Sequence, residues 1–141
     1  MKIDNRNSFA DEAEALLRRQ LREWPLIADN YKALQTLCMR TIEVGGVSVR
    51  LQYNPARIRS TASKVDAVSL SERPCFLCDT NRPVEQLSLP IGGRYKLLVN
   101  PYPIFPRHFT LPSVVHTPQV ITGRFADMLE LASLLLSLIH I

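Results

Sequence analysis

The sequence has no apolar run long enough to cross a membrane: nowhere in its 141 residues do roughly 18–20 consecutive apolar side chains occur. A secretory leader is not expected either, because MKIDNRNSFADEAEA is polar and acidic where a leader is basic and then apolar. A cytoplasmic protein with no membrane partner is the expectation. Aromatic residues make up only 7% and are not interleaved with basic ones in the manner of single-strand binders. The net charge of +4, from 17 basic and 13 acidic side chains, is too small to wrap nucleic acid. It does suit an anionic small molecule, such as a phosphorylated one. Cysteine is scarce, and Cys38, Cys75 and Cys78 are an odd number, which argues against a disulfide framework and for metal or redox chemistry. Repeats and low-complexity tracts are absent. Gly92-Gly93 lacks the surrounding pattern of a P-loop or dinucleotide turn and reads as a hairpin turn.

What is present is enough for one domain with a real core. Ser8 is placed to cap a first helix, with Asp11 and Glu12 in its first turn. Ala13, Leu16, Leu17, Leu21 and Trp24 follow at helical spacing until Pro25 stops the run. A second helix is expected over 27–37, burying Ile27, Tyr31, Leu34 and Leu37, with Cys38 as a core thiol at its end. Two β-rich runs, 41–44 and 47–53, flank Gly45-Gly46, a strong hairpin signal because both glycines accept positive φ. Alternation of Val47, Val49, Leu51 and Tyr53 predicts one buried face. Residues 54–74 read as a polar, basic connection with at most one short helical turn. Strands are expected at 95–99 and 108–111, separated by a stretch whose three prolines exclude a central strand. A last helix starts near Thr122, with Phe125, Met128, Leu129 and Ala132 on its buried side.

The sharpest chemical signal is Cys75-Phe76-Leu77-Cys78. Two thiolates three positions apart in a loop can reach one tetrahedral zinc. The same spacing allows a redox pair, although Pro83 and the polar Asp79-Thr80-Asn81 turn argue against the helix such a pair requires. Plain packing is the third reading. Further ligands would have to come from the histidines. His116 lies in a polar turn that presents a side chain easily, and His108 opens a strand. For each, a hydrogen-bonded or solvent-facing ring is the alternative. Arg57, Arg59, Lys64 and Arg73 form a basic set that can hold phosphate oxygens or simply solvate the surface.

Taken in order, CFLC, then YKLLVNPYPIFPRHFTLPSVVHTPQ, then an apolar helix resemble one branch of the histidine-triad superfamily. That branch holds galactose-1-phosphate uridylyltransferase and the diadenosine tetraphosphate and GDP-galactose phosphorylases. The likeness covers about residues 47–132 and is most specific over 75–119. It implies an α+β fold, a HIT-like antiparallel sheet with flanking helices. It further implies that Cys75, Cys78 and His116 are ligands of a structural zinc. Asn100 corresponds to a position near the bound nucleotide, and Arg57 and Arg59 lie where the family places phosphate-contacting arginines. The implied partner is a nucleotide or nucleotide-sugar, with a homodimer left open. The implied reaction is attack of a histidine on the α-phosphorus, giving a nucleotidyl-histidine that phosphate or a sugar phosphate then resolves.

One departure matters. The family's nucleophile sits in a His-x-His motif on a strand after the last helix, and no histidine here has another two positions away. No catalytic residue is therefore assigned. The expectation is an N-terminal part of a nucleotidyltransferase or nucleotide-sugar phosphorylase, its sheet incomplete at the C-terminus. The alternative is a non-catalytic, zinc-dependent module binding nucleotide or protein. Residues 136–141, LSLIHI, match one reading frame of a common sequencing-library transposon end, so His140 receives no role. The expected division is a helical region over 1–38, the HIT-like part over 39–135, and that tail.

Overall fold

The computed structural model describes residues 4–58, 66, 68 and 73–135. Helix α1 (Asp4–Glu23) buries Ala13, Leu17 and Gln20, a stripe at three- and four-residue spacing that Trp24 continues just beyond the helix. It begins earlier than Ser8, which lies inside it. The first helix does stop ahead of Pro25, at Glu23, and Pro25 opens the next one, α2 (Pro25–Ala33), at the position where a missing N–H costs nothing. The Ala28 N–H reaches back to the Trp24 carbonyl at 3.1 Å, so the chain turns there with little loss of hydrogen bonding. Ile27 and Tyr31, one turn apart, are the buried pair of α2.

Helix α2 is shorter than the 27–37 expected. After a 3-10 turn at Leu34–Thr36, Leu37 is already extended (φ −67°, ψ 140°). Strand β1 (Cys38–Val44) then pairs along its whole length with β2 (Val47–Tyr53), from Cys38 opposite Tyr53 to Val44 opposite Val47. That pairing draws Cys38 into the hairpin, where it is exposed and not the core thiol that a helix end would have made it. Gly45 and Gly46 turn the hairpin with φ of 57° and 80°, the left-handed pair a two-residue turn needs. The expected buried face is not buried: Val47 is 63% exposed, Leu51 47% and Tyr53 70%. The hairpin forms a sheet of its own, with only Ile42 and Val49 partly covered. Its seat is the proline-rich loop, where Gln52 and Asn54 donate side-chain hydrogen bonds to the Ile104 and Pro103 carbonyls.

The second sheet is antiparallel in the order β3 (Ser88–Ile91), β4 (Tyr95–Val99), β5 (Phe109–Thr110). Lys96, Leu97, Leu98 and Val99 of the central strand are all buried, which is why YKLLV shows no alternation. Leu97 and Val99, on one face, join two apolar clusters. Val99 packs with Leu17, Trp24, Ile27 and Tyr31; Leu97 packs with Ala13, Ile91 and Leu135. Helices and strands thus share both cores, an α+β arrangement. No helix among the described residues is long and apolar enough to cross a membrane.

Helix α3 (Phe125–Leu135) packs through Leu131, Leu134 and Leu135. The expected buried side is turned outward, with Phe125 69%, Met128 51% and Leu129 55% exposed. An ion-pair clamp explains the rotation. Arg94 holds Asp127 at 2.7 Å and Glu130 at 2.6 Å, and the Tyr95 hydroxyl donates to Asp127 at 2.5 Å. Residues 127, 130 and 134 therefore face the β3–β4 turn and sheet.

Burial pushes the Tyr31 hydroxyl up to about 12. The phenol is neutral in both folded and unfolded chains below pH ~10, so its contribution is constant there. Between about pH 10 and 12 only the unfolded state sheds the proton, and stability falls by up to about 2–3 kcal/mol. Denaturant titrations at pH 8–12 are expected to show this decline, and Tyr31→Phe should remove it. An unchanged decline in that variant would contradict the assignment. At neutral pH the same variant loses one hydrogen bond, to the His108 carbonyl at 3.1 Å, worth about 1 kcal/mol.

Candidate metal centre

The Cys75–Arg82 segment folds into a tight double turn. The Cys78 N–H donates to the Cys75 carbonyl at 3.1 Å, and the N–H groups of Asn81 and Arg82 both donate to the Cys78 carbonyl, at 2.9 and 3.1 Å. The Asn81 side-chain amide closes back on the Cys75 carbonyl at 3.0 Å. These bonds hold the two cysteines on one side of the turn, half-buried and unbridged.

His116 arrives from the other side of the sheet. Past β5 the chain still runs beside β4: the Lys96 N–H donates to the Pro112 carbonyl at 3.1 Å, Tyr95 bridges to Ser113, and the Val114 N–H donates to the Arg94 carbonyl at 2.9 Å. Two residues later the His116 ring meets the turn, its Nδ1 at 3.2 Å from the Cys78 sulfur. The donor atoms of Cys75, Cys78 and His116 lie within 4.8 Å of one another, close enough for one metal ion to touch all three. The imidazole is exposed while the two sulfurs are partly covered.

The electrostatics favour thiolate. Hydrogen bonding from the Leu77 backbone holds the Cys75 thiol below the usual cysteine range, with Cys78 and the Lys96 charge helping. Cys78 is pushed up, by burial first and then by its bond to Cys75 and that neighbour's charge. Below them Asp79 accepts from Lys96 Nζ at 2.5 Å and pairs with Arg82, and those two bonds hold its carboxyl below the ordinary range. No sequence motif marks Lys96 or Arg82, and Asp79 shows only as part of a polar turn. The available signal was a lysine inside an otherwise apolar strand.

The remaining candidates lie around the proline-rich loop. His108 is not part of the cluster: its Nδ1 accepts from the Ile104 N–H at 3.2 Å, and its carbonyl takes the Asn100 N–H at 2.8 Å. Burial, with the nearby Arg57 charge second, holds its imidazole below the usual histidine range. Asn100 starts the loop, its side chain accepting from the Tyr102 N–H at 2.9 Å and donating to Thr110 at 3.3 Å. Arg57 ends the 3-10 turn after β2 and is half-buried near His108. Arg73 stacks over the Phe76 ring at 5.8 Å, at the tip of the cysteine turn. Arg59, Lys64 and His140, with the rest of 136–141, lie outside the described residues. An open depression of about 340 Å³ between α1 and β3, lined by Glu12, Leu16, Arg19 and Leu89 among others, contains none of these groups.

No curated protein and no solved structure matches the chain. A family model does: it covers residues 16–140, from the C-terminal part of α1 through α2, the cysteine turn and His116, and the chain belongs to the family it describes, Domain of unknown function (DUF4922).

Proposed function

We propose that this chain is the zinc- and nucleotide-holding part of a nucleotidyltransferase or nucleotide-sugar phosphorylase related to the galactose-1-phosphate uridylyltransferase branch. The observation that carries the reading is the convergence of Cys75, Cys78 and His116, from segments about forty positions apart, on one small volume. Ligand atoms around a tetrahedral zinc lie roughly 3.5–3.8 Å apart, and soft thiolates with an imidazole are a zinc donor set. Zinc bound there would supply a strong pin between the cysteine turn and the 112–116 segment.

The order of elements also supports the reading. A strand ends at Val99, Asn100 and a proline-rich loop follow, and a short strand leads on to His116 and a helix. Gln52 and Asn54 seat the hairpin on that loop and bring Arg57 toward His108. A guanidinium at this point offers a bidentate fork to phosphate. With no His-x-His in the 141 residues, the proposal assigns recognition, and no bond-breaking step, to this chain. The same cluster of two thiols and an imidazole also suits a second reading, a non-catalytic zinc-dependent binding module.

Calorimetric titration of the zinc-loaded chain with nucleoside diphosphates and a nucleoside diphosphate sugar tests the reading. Weak, saturable binding is expected. Arg57→Ala should lower it about 10–100-fold, the worth of one charge-assisted pair. Absence of binding to every one of these ligands at millimolar concentration would overturn the nucleotide reading while leaving the metal centre standing.

A further inference from the structure

We infer that Lys96 is a positioning residue of the metal centre, tying one half of the ligand set to β4 through its side chain and the other through its backbone. The inference rests on the reading that Cys75, Cys78 and His116 hold a metal. Its observation is a double attachment. The Lys96 side chain reaches Asp79, which directly follows Cys78, at 2.5 Å. The Lys96 backbone N–H holds Pro112, at the head of the segment that delivers His116, at 3.1 Å.

A buried lysine needs a reason, because desolvating an ammonium is costly and apolar residues serve a central strand better. Lys96 is 5% exposed, in a strand whose next residues, Leu97 and Leu98, are closed off from solvent. Its stem is therefore fixed, and so is the place of its charge. Asp79, by contrast, has a 63% exposed side chain and gains little from burial. Its two bonds, to Lys96 and Arg82, tie the exposed turn down to the sheet.

The charges also fit. One carboxylate faces two cations, leaving a surplus positive charge beside two sulfurs that must give up protons when a metal enters. Partners of this kind, one bond beyond the ligands, orient them and set affinity.

The test is Lys96→Met, which keeps the stem, the strand pairing and the backbone bond to Pro112 but removes the charge. Zinc affinity, measured by competition with a chromogenic chelator, is expected to fall about 10–100-fold. The cobalt(II) form should show shifted ligand-field bands at saturation, while the metal-free protein melts no lower than wild type. A role confined to packing would instead lower that melting temperature and leave the cobalt spectrum alone. Affinity within twofold of wild type, with an unchanged spectrum, overturns the inference. Should Lys96→Met not fold, Asp79→Asn carries the test at an exposed site: the same fall is expected, and no fall refutes the link. A wild type that takes up no zinc removes the metal reading itself, a result distinct from a wild type and variant that bind equally.

Discussion

Replacing Cys75 and Cys78 together with serine is expected to abolish zinc retention, leaving His116 as the lone strong donor in an exposed position. The loss should exceed the ~10–100-fold that removal of a partner beyond the ligands costs, because the bonds to the ion themselves disappear. Metal content after purification by native mass spectrometry reads the result directly. The fold of the sheet should survive, since neither cysteine belongs to the two apolar clusters on β4. The 112–116 segment would lose its tie to the turn, so faster hydrogen exchange is expected at the Val114 amide. A double variant that still copurifies with one equivalent of zinc would show that the ion sits elsewhere. The competing redox reading makes a different forecast, a reversible Cys75–Cys78 disulfide and no bound metal in the wild type.

The largest effect on stability is expected at Gln20. It is fully buried on α1, donating to the Glu85 carbonyl at 2.8 Å and accepting from the Leu87 N–H at 3.2 Å. This one amide staples the first helix to the loop between the cysteine turn and β3. Gln20→Met keeps the volume but leaves a carbonyl and an N–H unpaired in a partly buried place, at about 1–3 kcal/mol each. A total near 2–5 kcal/mol corresponds to a fall in Tm of roughly 5–15 °C for a chain of this size. Thermal melting of the metal-free protein measures it. A shift under about 2 °C would mean that water replaces the amide at no cost.

Local signals carried much of the fold. The Gly45-Gly46 turn and the bounds of β4 follow from two neighbouring glycines and from a short apolar run between a turn and Asn100. The convergence of Cys75, Cys78 and His116 was legible for a similar reason, because residue type and loop context mark residues that could hold a metal. Features set by distant partners were not legible. Strand β3 carries Pro90 and spans four residues, Ser88–Ile91, so no periodicity marks it; its pairing with β4 makes it a strand. The face of α3 that turns inward is chosen by Arg94, 33 positions from Asp127. The alternating face of β2 signalled burial that only a second layer could provide, and among the described residues the hairpin packs mainly through its end on the proline-rich loop. Gln20 sat in a recognisable helical stripe, yet its partners at Glu85 and Leu87 are more than sixty positions away. Lys96 is the same case in miniature: its meaning depends on where Asp79 and Pro112 come to lie.

Zinc K-edge X-ray absorption on the freshly purified chain bears most directly on the metal centre. The account predicts a shell with two sulfurs at about 2.3 Å and imidazole nitrogen at about 2.0–2.1 Å. A shell of oxygen and nitrogen alone, or protein carrying no zinc with both cysteines reduced, would contradict it.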